Sequence, residues 1–489
     1  MRLIERRIGL LFAGFLLCFL VIVGRAFWLQ GVRGGALASE AISQQTETVT
    51  VPGLRGSLLD RRGNELAASE DAATIYATPY QVENPAQAAE KLASILGLDE
   101  ADVLRDLTAD SGFSYIAHKV TLEQAGRVVL LGLEGIGELP DSRRTYPQGE
   151  MAGQVVGAVG SENQGLTGLE AGQEDVLRGS DGERQVVKDA LGDPIRLETV
   201  AEASDGEDIQ LTLDPLIQEK AERVLAEVGE TYAPKGATAI VMNPESSEVL
   251  AMANWPPVDL NDLASTSNDD LANRATGFNY EPGSTFKAFT VAAALQEKLV
   301  TPASEFTLAP AIQVADRTIE ESHPRGTETM SVATILAHSS NVGAVTIGLD
   351  LGAEHFDNWI HRFGFGRPTG VEYPGEEEGI VLPLDEYSGS TMGNLPLGQG
   401  ISVTPMQMIA GYAAIANGGT LEQPRLIKRI GEEAIEPPPG KRVMRPEVAA
   451  QVREMLEGVL APGGTASEVS VPGDTLAGKT GTAEIAENG

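Results

Sequence analysis

The sequence contains little of what a disulfide scaffold, a metal site or a nucleic-acid surface requires. Only one of its 489 residues is cysteine, Cys18, which excludes a disulfide framework and a cysteine-based zinc site. The five histidines are scattered, with no pair at metal-ligand spacing, so we predict no metal site. Basic residues are also scarce. The 36 Lys and Arg against 70 Asp and Glu give a formal net charge of −34, which argues against a nucleic-acid partner.

What the sequence does contain is enough apolar material for folded domains. Hydrophobic residues make up 42% of the chain, so extensive intrinsic disorder is excluded. At about 150 residues per domain, the length predicts two or three domains.

The N-terminus carries an uncharged apolar run at residues 8–24, IGLLFAGFLLCFLVIVG. With residues 26–29 beyond Arg25, it is long enough to cross a hydrocarbon layer of ~30 Å. Three arginines precede it, which predicts a cytoplasmic N-terminus and an outside location after about residue 30. A cleaved signal peptide is the alternative, with residues 36–38 (Ala-Leu-Ala) as its cleavage box. Because that box lies well past a long apolar run, we predict an uncleaved single-pass anchor in the cell membrane, with the rest of the chain on the extracytoplasmic side.

Composition and turn signals divide the chain into three parts. Residues 1–30 are the cytoplasmic tip and transmembrane anchor, residues 31–204 form a β-rich region, and residues 205–489 form an α+β region. The β-rich region has short β-type patches, glycine-rich turns and one predicted helix at residues 86–98. A polar break at residues 203–208 separates it from the third part.

The third part opens with Asp214-Pro215, an N-cap followed by a first-turn proline, which predicts a helix to about Val228. Apolar runs at residues 237–242 and 249–253 predict a hairpin. Further helices are predicted at residues 284–298, 331–337, 405–416 and 445–459. We therefore predict an α+β region with strands at its beginning and near its end.

Ser284-Thr285-Phe286-Lys287 is the first motif with chemistry in it. Residues three apart share a helix face, so the Ser284 hydroxyl and the Lys287 amine can touch. Pro282-Gly283 puts Ser284 at the helix N-terminus, where backbone N–H groups favour developing negative charge. Ser-x-x-Lys alone is a weak signal, although Lys287 is the only lysine in the chain with a serine three positions before it.

Two further triplets follow in order, Ser339-Ser340-Asn341 and Lys479-Thr480-Gly481. The second follows apolar residues 476–478, which predicts an edge strand. Ser-x-x-Lys, a Ser-x-Asn-type triplet and Lys-Thr-Gly are together the signature of active-site serine enzymes that react with β-lactams.

With these three motifs the chain resembles class B penicillin-binding proteins, the monofunctional peptidoglycan D,D-transpeptidases. The likeness covers nearly the whole chain. Residues 55–63 (RGSLLDRRG) resemble the entry to the family's N-terminal pedestal, residues 168–170 and 177–179 resemble a second pedestal box, and residues 400–405 resemble the family's late helix entry. The resemblance implies a serine β-lactamase/transpeptidase-like fold, an antiparallel sheet flanked by helices, for residues 205–489. It also implies a pedestal or dimerisation-like domain at residues 31–204.

The resemblance also implies a set of roles. Ser284 is the nucleophile and Lys287 its base, which must be neutral, and a nearby Lys479 together with burial can lower the pKa of its amine. Ser339 passes a proton toward the leaving amine, and Asn341 holds the substrate's amide. The oxyanion hole consists of the backbone N–H groups of Ser284 and Thr482. The hydroxyls of Thr480 and Thr482 bind the substrate carboxylate, and Gly481 leaves room for the substrate backbone.

The implied reaction is acyl transfer between peptidoglycan stem peptides, with no cofactor and with β-lactams trapped as acyl-enzymes. The implied partners are a polytopic membrane glycosyltransferase and division proteins. A D,D-carboxypeptidase would use the same residues with water as acceptor, and a catalytically idle scaffold would use none. A class A β-lactamase would lack the anchor and the pedestal. The moderately sized pedestal favours septal over elongation machinery.

The chain ends at Gly489, soon after Gly481. In the family, further strands and a C-terminal helix follow this point. We therefore expect the sequence to be C-terminally truncated, a fragment of a longer product.

Overall fold

The computed structural model describes residues 2–33, 35, 46–188, 194–264 and 266–484. The alternative cleavage box at residues 36–38 lies outside the described residues. The chain forms two compact units. The first comprises Met1–Leu54, Glu70–Arg143 and Gly179–Gly206, and the second comprises Arg55–Ser69, Arg144–Arg178 and Glu207–Gly489.

The α-helices of the described residues are Arg2–Phe27, Pro85–Leu96, Glu100–Leu107, Leu122–Val129, Gly153–Val156, Gly168–Gly172, Glu174–Leu177, Pro215–Tyr232, Asn268–Leu271, Arg274–Gly277, Lys287–Gln296, Val332–Ala337, Asn341–Leu351, Ala353–Arg362, Thr391–Asn394, Pro405–Ala416 and Pro446–Leu460. A π-helical turn, Trp28–Val32, extends the first of them.

The strands are Thr46–Val51, Leu58–Leu59, Glu65–Ala77, Ser114–Thr121, Ile136–Thr145, Gly182–Lys188, Pro194–Ala201, Ile209–Leu211, Ala237–Met242, Val249–Trp255, Glu305–Leu308, Ala311–Val314, Arg317–Glu320, Glu328–Ser331, Thr420–Leu421, Ile427–Ile430, Glu433–Ala434 and Lys441–Arg442. Mixed α and β content is therefore what the structure has, as the sequence predicted.

The N-terminal helix has the properties of a membrane span. The stretch Arg7–Val32 is 26 residues long, and its most apolar 18 residues have a mean hydropathy of 2.4, with none of them buried inside the protein. At 1.5 Å per residue it is about 39 Å long, more than the ~30 Å of a hydrocarbon core. This helix is compatible with a single-pass membrane anchor.

The first unit contains more helix than its sequence predicted. The predicted helix forms at Pro85–Leu96, but Glu100–Leu107 and Leu122–Val129 are also helical. Their signals were present in the sequence. Asp99 caps the second helix, and Thr121 with Gln124 forms a capping box at the third, with reciprocal hydrogen bonds of 3.1 Å. The three helices share a core with strands Glu65–Ala77 and Ser114–Thr121 that includes Ile75, Leu92, Leu107, Ile116 and Val128.

The two pedestal boxes meet in a buried ion cluster of the second unit. Arg55 Nε lies 2.5 Å and Arg144 Nε 2.7 Å from the carboxylate of Glu170, whose side chain is fully buried. Glu174 pairs with Arg55 at 2.6 Å. Because each of these buried charges has an opposite charge beside it, none carries the full cost of desolvation.

Polar contacts within the second unit also join its early segments to its later ones. Ala152 N–H donates to Glu222 Oε1 at 2.7 Å, and Gln154 Nε2 donates to Pro256 O at 2.8 Å. Residues 55–69 and 144–178 therefore pack with the later part of the chain, although they lie inside the predicted range 31–204. The compact units and the predicted chain division are different partitions of the sequence.

The predicted hairpin and helices of the third part form close to their predicted bounds. Ala237–Met242 pairs antiparallel with Val249–Trp255, and helix Pro215–Tyr232, capped by Asp214, packs against the hairpin. Helix Lys287–Gln296 is central, since every residue from 287 to 295 is buried. Helices Val332–Ala337 and Pro446–Leu460 pack against it within one apolar core.

The edge strand predicted around Lys479 does not form. Residues 471–484 contain no helix or strand, and the backbone bonds of Asp474 and Gly478 to Val471 and Leu456 are long, at 3.2 and 3.3 Å. A strand needs a neighbour with which to exchange N–H···O bonds. None of the described strands pairs with this segment.

Candidate active site

Ser284 lies in a 3₁₀ turn, Gly283–Phe286, that leads directly into helix Lys287–Gln296. Gly283 has a φ of +53°, and a Cβ at this position would lie 2.5 Å from Thr482 O. Only glycine combines this backbone conformation with so close an approach of a second segment. The turn places Ser284 on the wall of an open cavity of about 830 Å³.

Lys287 points its amine at the Ser-Ser-Asn triplet. Its side chain is buried, at 1% exposure for the residue, and Nζ donates to Ser339 O at 2.6 Å and to Asn341 Oδ1 at 2.7 Å. The Oγ of Ser339 lies 3.3 Å away. The three-residue spacing allows Lys287 Nζ to contact the Ser284 hydroxyl, but among the described residues no hydrogen bond joins these two groups. The amine is instead bound by the oxygens of Ser339 and Asn341. Catalytic hydrogen bonds are often long before substrate binds.

The electrostatics of Lys287 suit a base. Burial lowers the pKa of its amine, the positive charge of Lys479 lowers it further, and the carboxylate of Glu321 opposes both, leaving the pKa at about 7. Since an ordinary lysine titrates near 10.4, a large fraction of Lys287 is neutral at pH 7. Lys479 is the nearby cation that contributes to the lowered pKa, after burial.

Ser339 is held in a left-handed conformation, with φ at +57°. It follows helix Val332–Ala337, and two bonds close the turn: Ser339 N–H to Leu336 O at 3.2 Å and Ser340 N–H to Ile335 O at 2.9 Å. This is a Schellman motif with serine at the position where glycine is usual. A non-glycine residue there carries backbone strain, which is common at functional sites.

Lys479 brings a second amine to the same hydroxyl. Its Nζ donates to Ser339 Oγ at 2.9 Å and to Thr480 O at 2.8 Å. Partial burial lowers the pKa of this amine to about 8. Ser339 Oγ therefore lies between two amines from opposite ends of the domain sequence.

The rest of the third triplet lies along the cavity beside Ser284. Thr480, Gly481 and Thr482 all line it, and Thr480 Oγ1 shares a hydrogen bond of 3.0 Å with Thr465. Gly481 also has a packing reason to lack a side chain. A Cβ there would lie 2.7 Å from Thr285 Cγ2, so the missing side chain allows this segment to pack against the start of the Ser284 helix.

Asn341 is the first residue of helix Asn341–Leu351, and the protein engages both ends of its carboxamide. Oδ1 accepts from Lys287, and Nδ2 donates to Glu320 O at 2.9 Å. Its backbone N–H donates to Glu321 Oε2 at 2.8 Å.

Sequence reasoning missed several residues of this site. Glu321 holds the Ser-Ser-Asn turn, Thr465 binds Thr480, and the cavity is further lined by Arg317, His323, Asn394 and Gln399. No motif marks them, because they come from loops, a hairpin and the short helix Thr391–Asn394, which reach the site only through the fold. In the part of the chain that the structure describes, no cluster of three His, Cys, Asp or Glu side chains could hold a metal ion.

The arrangement suits nucleophilic acyl transfer. A hydroxyl at a helix start borders a cavity, an amine with a pKa near neutrality lies in the next turn, and a second hydroxyl bridges two amines. Such a set can activate a weak nucleophile and return a proton to a leaving group.

Two family models match the chain. The penicillin binding protein transpeptidase domain matches residues 237–489, and the penicillin-binding protein dimerisation domain matches residues 50–211. The first range contains all three motifs, and the second contains both pedestal boxes.

Curated relatives match along almost the whole chain. Stage V sporulation protein D of Bacillus subtilis is 34% identical over 486 residues, covering 96% of this chain and 75% of that protein. PbpB of Mycobacterium tuberculosis is 32% identical, covering 96% and 74%. The protein named "Probable peptidoglycan D,D-transpeptidase PenA" of Neisseria meningitidis serogroup A is 30% identical, covering 99% and 81%.

Solved structures agree. Penicillin binding protein 3 of Mycobacterium tuberculosis in complex with aztreonam is 29% identical, with a TM-score of 0.70 over 90% of this chain and 83% of that one. Penicillin Binding Protein 2X of Streptococcus thermophilus is 26% identical, with a TM-score of 0.75 over 90% and 72%. Motifs, family models, relatives and structures coincide from the pedestal to the Lys-Thr-Gly triplet, and the chain therefore belongs to the penicillin-binding protein transpeptidase family, in its class B branch.

Proposed function

We propose that this protein is a peptidoglycan D,D-transpeptidase that cross-links stem peptides through an acyl-enzyme on Ser284. One observation carries the proposal. Ser339 Oγ lies 3.3 Å from the amine of Lys287 and 2.9 Å from that of Lys479, at the edge of the cavity that Ser284 lines. The network joins residues of all three motifs beside the cavity that Ser284 lines, and serine acyl transfer requires such proton-transfer groups near the nucleophile.

In the acylation step, Lys287 in its neutral form takes the proton of Ser284 as Oγ attacks the carbonyl of a D-Ala-D-Ala peptide bond. The backbone N–H groups of Ser284 and Thr482 stabilise the oxyanion, and each such donor contributes roughly 10²–10³ in rate. The C–N bond then breaks. The proton taken up by Lys287 passes to Ser339, whose hydroxyl lies within hydrogen-bond distance of both amines. Ser339 in turn gives a proton to the nitrogen of the departing D-Ala.

In the second step an amine of a neighbouring stem peptide attacks the ester and releases Ser284 with its proton restored. The hydroxyls of Thr480 and Thr482 bind the substrate carboxylate, and Asn341 orients the substrate's amide. Gly481 has no side chain, which leaves room for the peptide backbone of the substrate to lie along the segment. A β-lactam acylates Ser284 in the same way and stays bound, because its opened ring keeps the leaving group attached.

The anchor and the pedestal supply location and partners in this proposal. Residues 1–30 anchor the protein with its N-terminus in the cytoplasm, residues 31–204 form the pedestal, and residues 205–489 carry the extracytoplasmic catalytic domain. The enzyme acts in septal wall synthesis in this proposal. Its partners there are a polytopic membrane glycosyltransferase and division proteins, which contact the anchor and the pedestal. Three N-terminal arginines and an apolar helix support this topology.

Labelling with a fluorescent penicillin tests the assignment. The full-length protein in membranes should form one covalent adduct, and Ser284→Ala should form none. Mass spectrometry of the labelled peptide should place the adduct on Ser284. The absence of an adduct on the native protein, or its persistence in Ser284→Ala, would contradict the assignment.

Product analysis with a stem-peptide substrate tests the acceptor. Cross-linked dimers indicate transpeptidation, whereas tetrapeptide alone indicates a D,D-carboxypeptidase.

A further inference from the structure

Glu321 belongs to none of the three motifs, yet its carboxylate is hydrogen-bonded to the second of them, Ser339-Ser340-Asn341. It follows strand Arg317–Glu320, and its side chain is 7% exposed. The carboxylate accepts from Ser340 Oγ at 2.5 Å through Oε1 and from the backbone N–H of Asn341 at 2.8 Å through Oε2.

The neighbouring atoms reinforce this hold. Arg325 Nη2 donates to Glu321 Oε1 at 2.5 Å, and the same guanidinium donates to Leu308 O at 3.2 Å. The backbone carbonyl of Glu320 accepts from Asn341 Nδ2 at 2.9 Å. Residues 320–321 therefore bind three separate groups of Ser340 and Asn341.

The turn that is held in this way carries the atoms that receive the catalytic amine. Lys287 Nζ donates to Ser339 O and to Asn341 Oδ1. Asn341 is one of the two residues that residues 320–321 bind, and Ser339 directly precedes those two residues. Ser339 itself has a left-handed backbone, which persists only where surrounding contacts determine it. The carboxylate also faces the N-terminus of helix Asn341–Leu351, where a negative charge is favourable.

We propose that Glu321, oriented by Arg325, is a positioning residue for acylation: it fixes the Ser339–Asn341 turn and, through that turn, the Lys287 amine. This inference rests on the proposed transpeptidase function and assigns a further residue to it. Glu321 acts through the turn and is not itself a catalytic residue.

Charge gives the proposal a signature that packing alone would not have. The charged groups around Glu321 are Arg325 on its own loop and Lys287 on the facing helix, with Lys479 beyond Lys287. The pKa of Glu321 itself is pushed upwards by burial, but hydrogen bonds from Ser340, Arg325 and Asn341 outweigh burial and hold it below its usual range. Glu321 is therefore an anion where Lys287 titrates, and it raises the pKa of that amine.

The test measures the second-order rate of penicillin acylation against pH for the full-length protein and for Glu321→Gln. Glutamine keeps the shape, loses the charge and cannot accept from all three donors. We expect the rate at the optimum to fall about tenfold to a hundredfold, the scale of a catalytic group displaced by about 1 Å. The acid limb of the profile should move to lower pH, because the neutral amine persists further down the pH scale without Glu321.

The matched control is Glu328→Gln, which removes an exposed carboxylate from the adjacent strand Glu328–Ser331. It should leave both rate and acid limb at wild-type values. Glu321→Asp keeps the charge but shortens the reach, so it should lose rate while keeping the wild-type limb. Glu321→Asp also carries the test if the glutamine variant does not fold.

The outcomes separate cleanly. An unchanged rate in Glu321→Gln, or a reduced rate with an unmoved acid limb and a lowered melting temperature, would overturn the positioning role. If the native protein does not acylate, or Ser284→Ala still does, the proposed function itself fails. Normal labelling of the native protein with a wild-type profile in Glu321→Gln defeats this inference alone.

Discussion

Lys287 and Lys479 deliver their amines to one hydroxyl from two very different stretches of chain. Lys287 begins a helix whose residues are buried as far as Leu295, and aromatic rings pack around it. Lys479 lies in a segment without helix or strand, held by a few backbone bonds and by the bond of its own amine to Ser339. One amine is placed by the core, and the other is placed by its contact with the site.

This contrast shows that two groups of similar chemistry can depend on different parts of the fold. The position of the Lys287 amine is coupled to the free energy of unfolding of the domain, since it cannot move without disturbing buried neighbours. The segment around Lys479 has no helix or strand and few backbone hydrogen bonds, so we expect a local displacement there to have little effect on global stability. Variants in the buried helix should therefore change the melting temperature, whereas variants in the segment around Lys479 should change the acylation rate with little change in melting temperature.

The largest expected effect comes from removing the buried amine. Lys287→Ala should lower the rate of penicillin acylation by roughly 10²–10⁴-fold, the contribution of a positioned base. Stopped-flow or gel-based acylation rates measure the loss, and circular dichroism checks that the fold is retained. Lys220→Ala, on the exposed side of helix Pro215–Tyr232, is the surface control. A near wild-type rate in Lys287→Ala would mean that another group is the base.

A smaller effect with a pH signature is expected from Lys479→Met. Acylation by the native protein should rise with pH through about 7, as Lys287 loses its proton. Without the positive charge of Lys479, the pKa of Lys287 rises, so the acid limb moves to higher pH, opposite to the shift expected for Glu321→Gln. The rate at neutral pH should fall about a hundredfold, by the loss of neutral base and of one bond to Ser339. An acid limb at its native position would show that the two amines are not coupled.

The smallest effect on chemistry is expected where the two stretches touch. Gly481→Ala introduces a Cβ 2.7 Å from Thr285 Cγ2, and such overpacking typically costs about 1–3 kcal/mol. Because the segment lies outside the helices and strands of the domain, we expect a local displacement to absorb this cost, so that acylation falls about tenfold while the melting temperature stays near that of the native protein.

Phe289→Ala, in the buried helix, is the opposite member of this pair. Phe289 is 2% exposed among four aromatic rings, so its loss should destabilise the fold by about 3–5 kcal/mol. Calorimetry gives the melting temperatures of Gly481→Ala and Phe289→Ala, and these are compared with the acylation rates of the same two variants. Equal losses of melting temperature would remove the distinction between the two regions.

Local sequence patterns predicted the elements that local physics determines. Asp214-Pro215 marked the start of helix Pro215–Tyr232, and Thr404-Pro405 opens a helix that ends at Ala416, as predicted. The apolar runs at residues 237–242 and 249–253 formed the hairpin, as predicted. In each case a cap, a proline or a spacing of apolar residues acts within a few positions, so one sequence is sufficient to read it.

Features that depend on a distant partner were missed or predicted incorrectly. The strand at Lys479 requires a neighbouring strand, which no local pattern supplies. The packing requirement at Gly481, where a Cβ would lie 2.7 Å from Thr285 Cγ2, was missed because Thr285 is far away in the sequence. The role of Glu321 depends on a loop returning beneath Ser340 and Asn341.

The sequence by itself determined which chemical groups are available: one serine with a lysine three positions later, two further triplets in order, an apolar N-terminal run, and an excess of acidic residues. These are properties of residue type and short spacing, and short spacing survives folding unchanged. Only the tertiary structure decided that Lys287 binds Ser339 and Asn341 rather than Ser284, and that Glu321 holds their turn. Such contacts join residues far apart in the chain, and burial then sets the pKa values on which the chemistry depends.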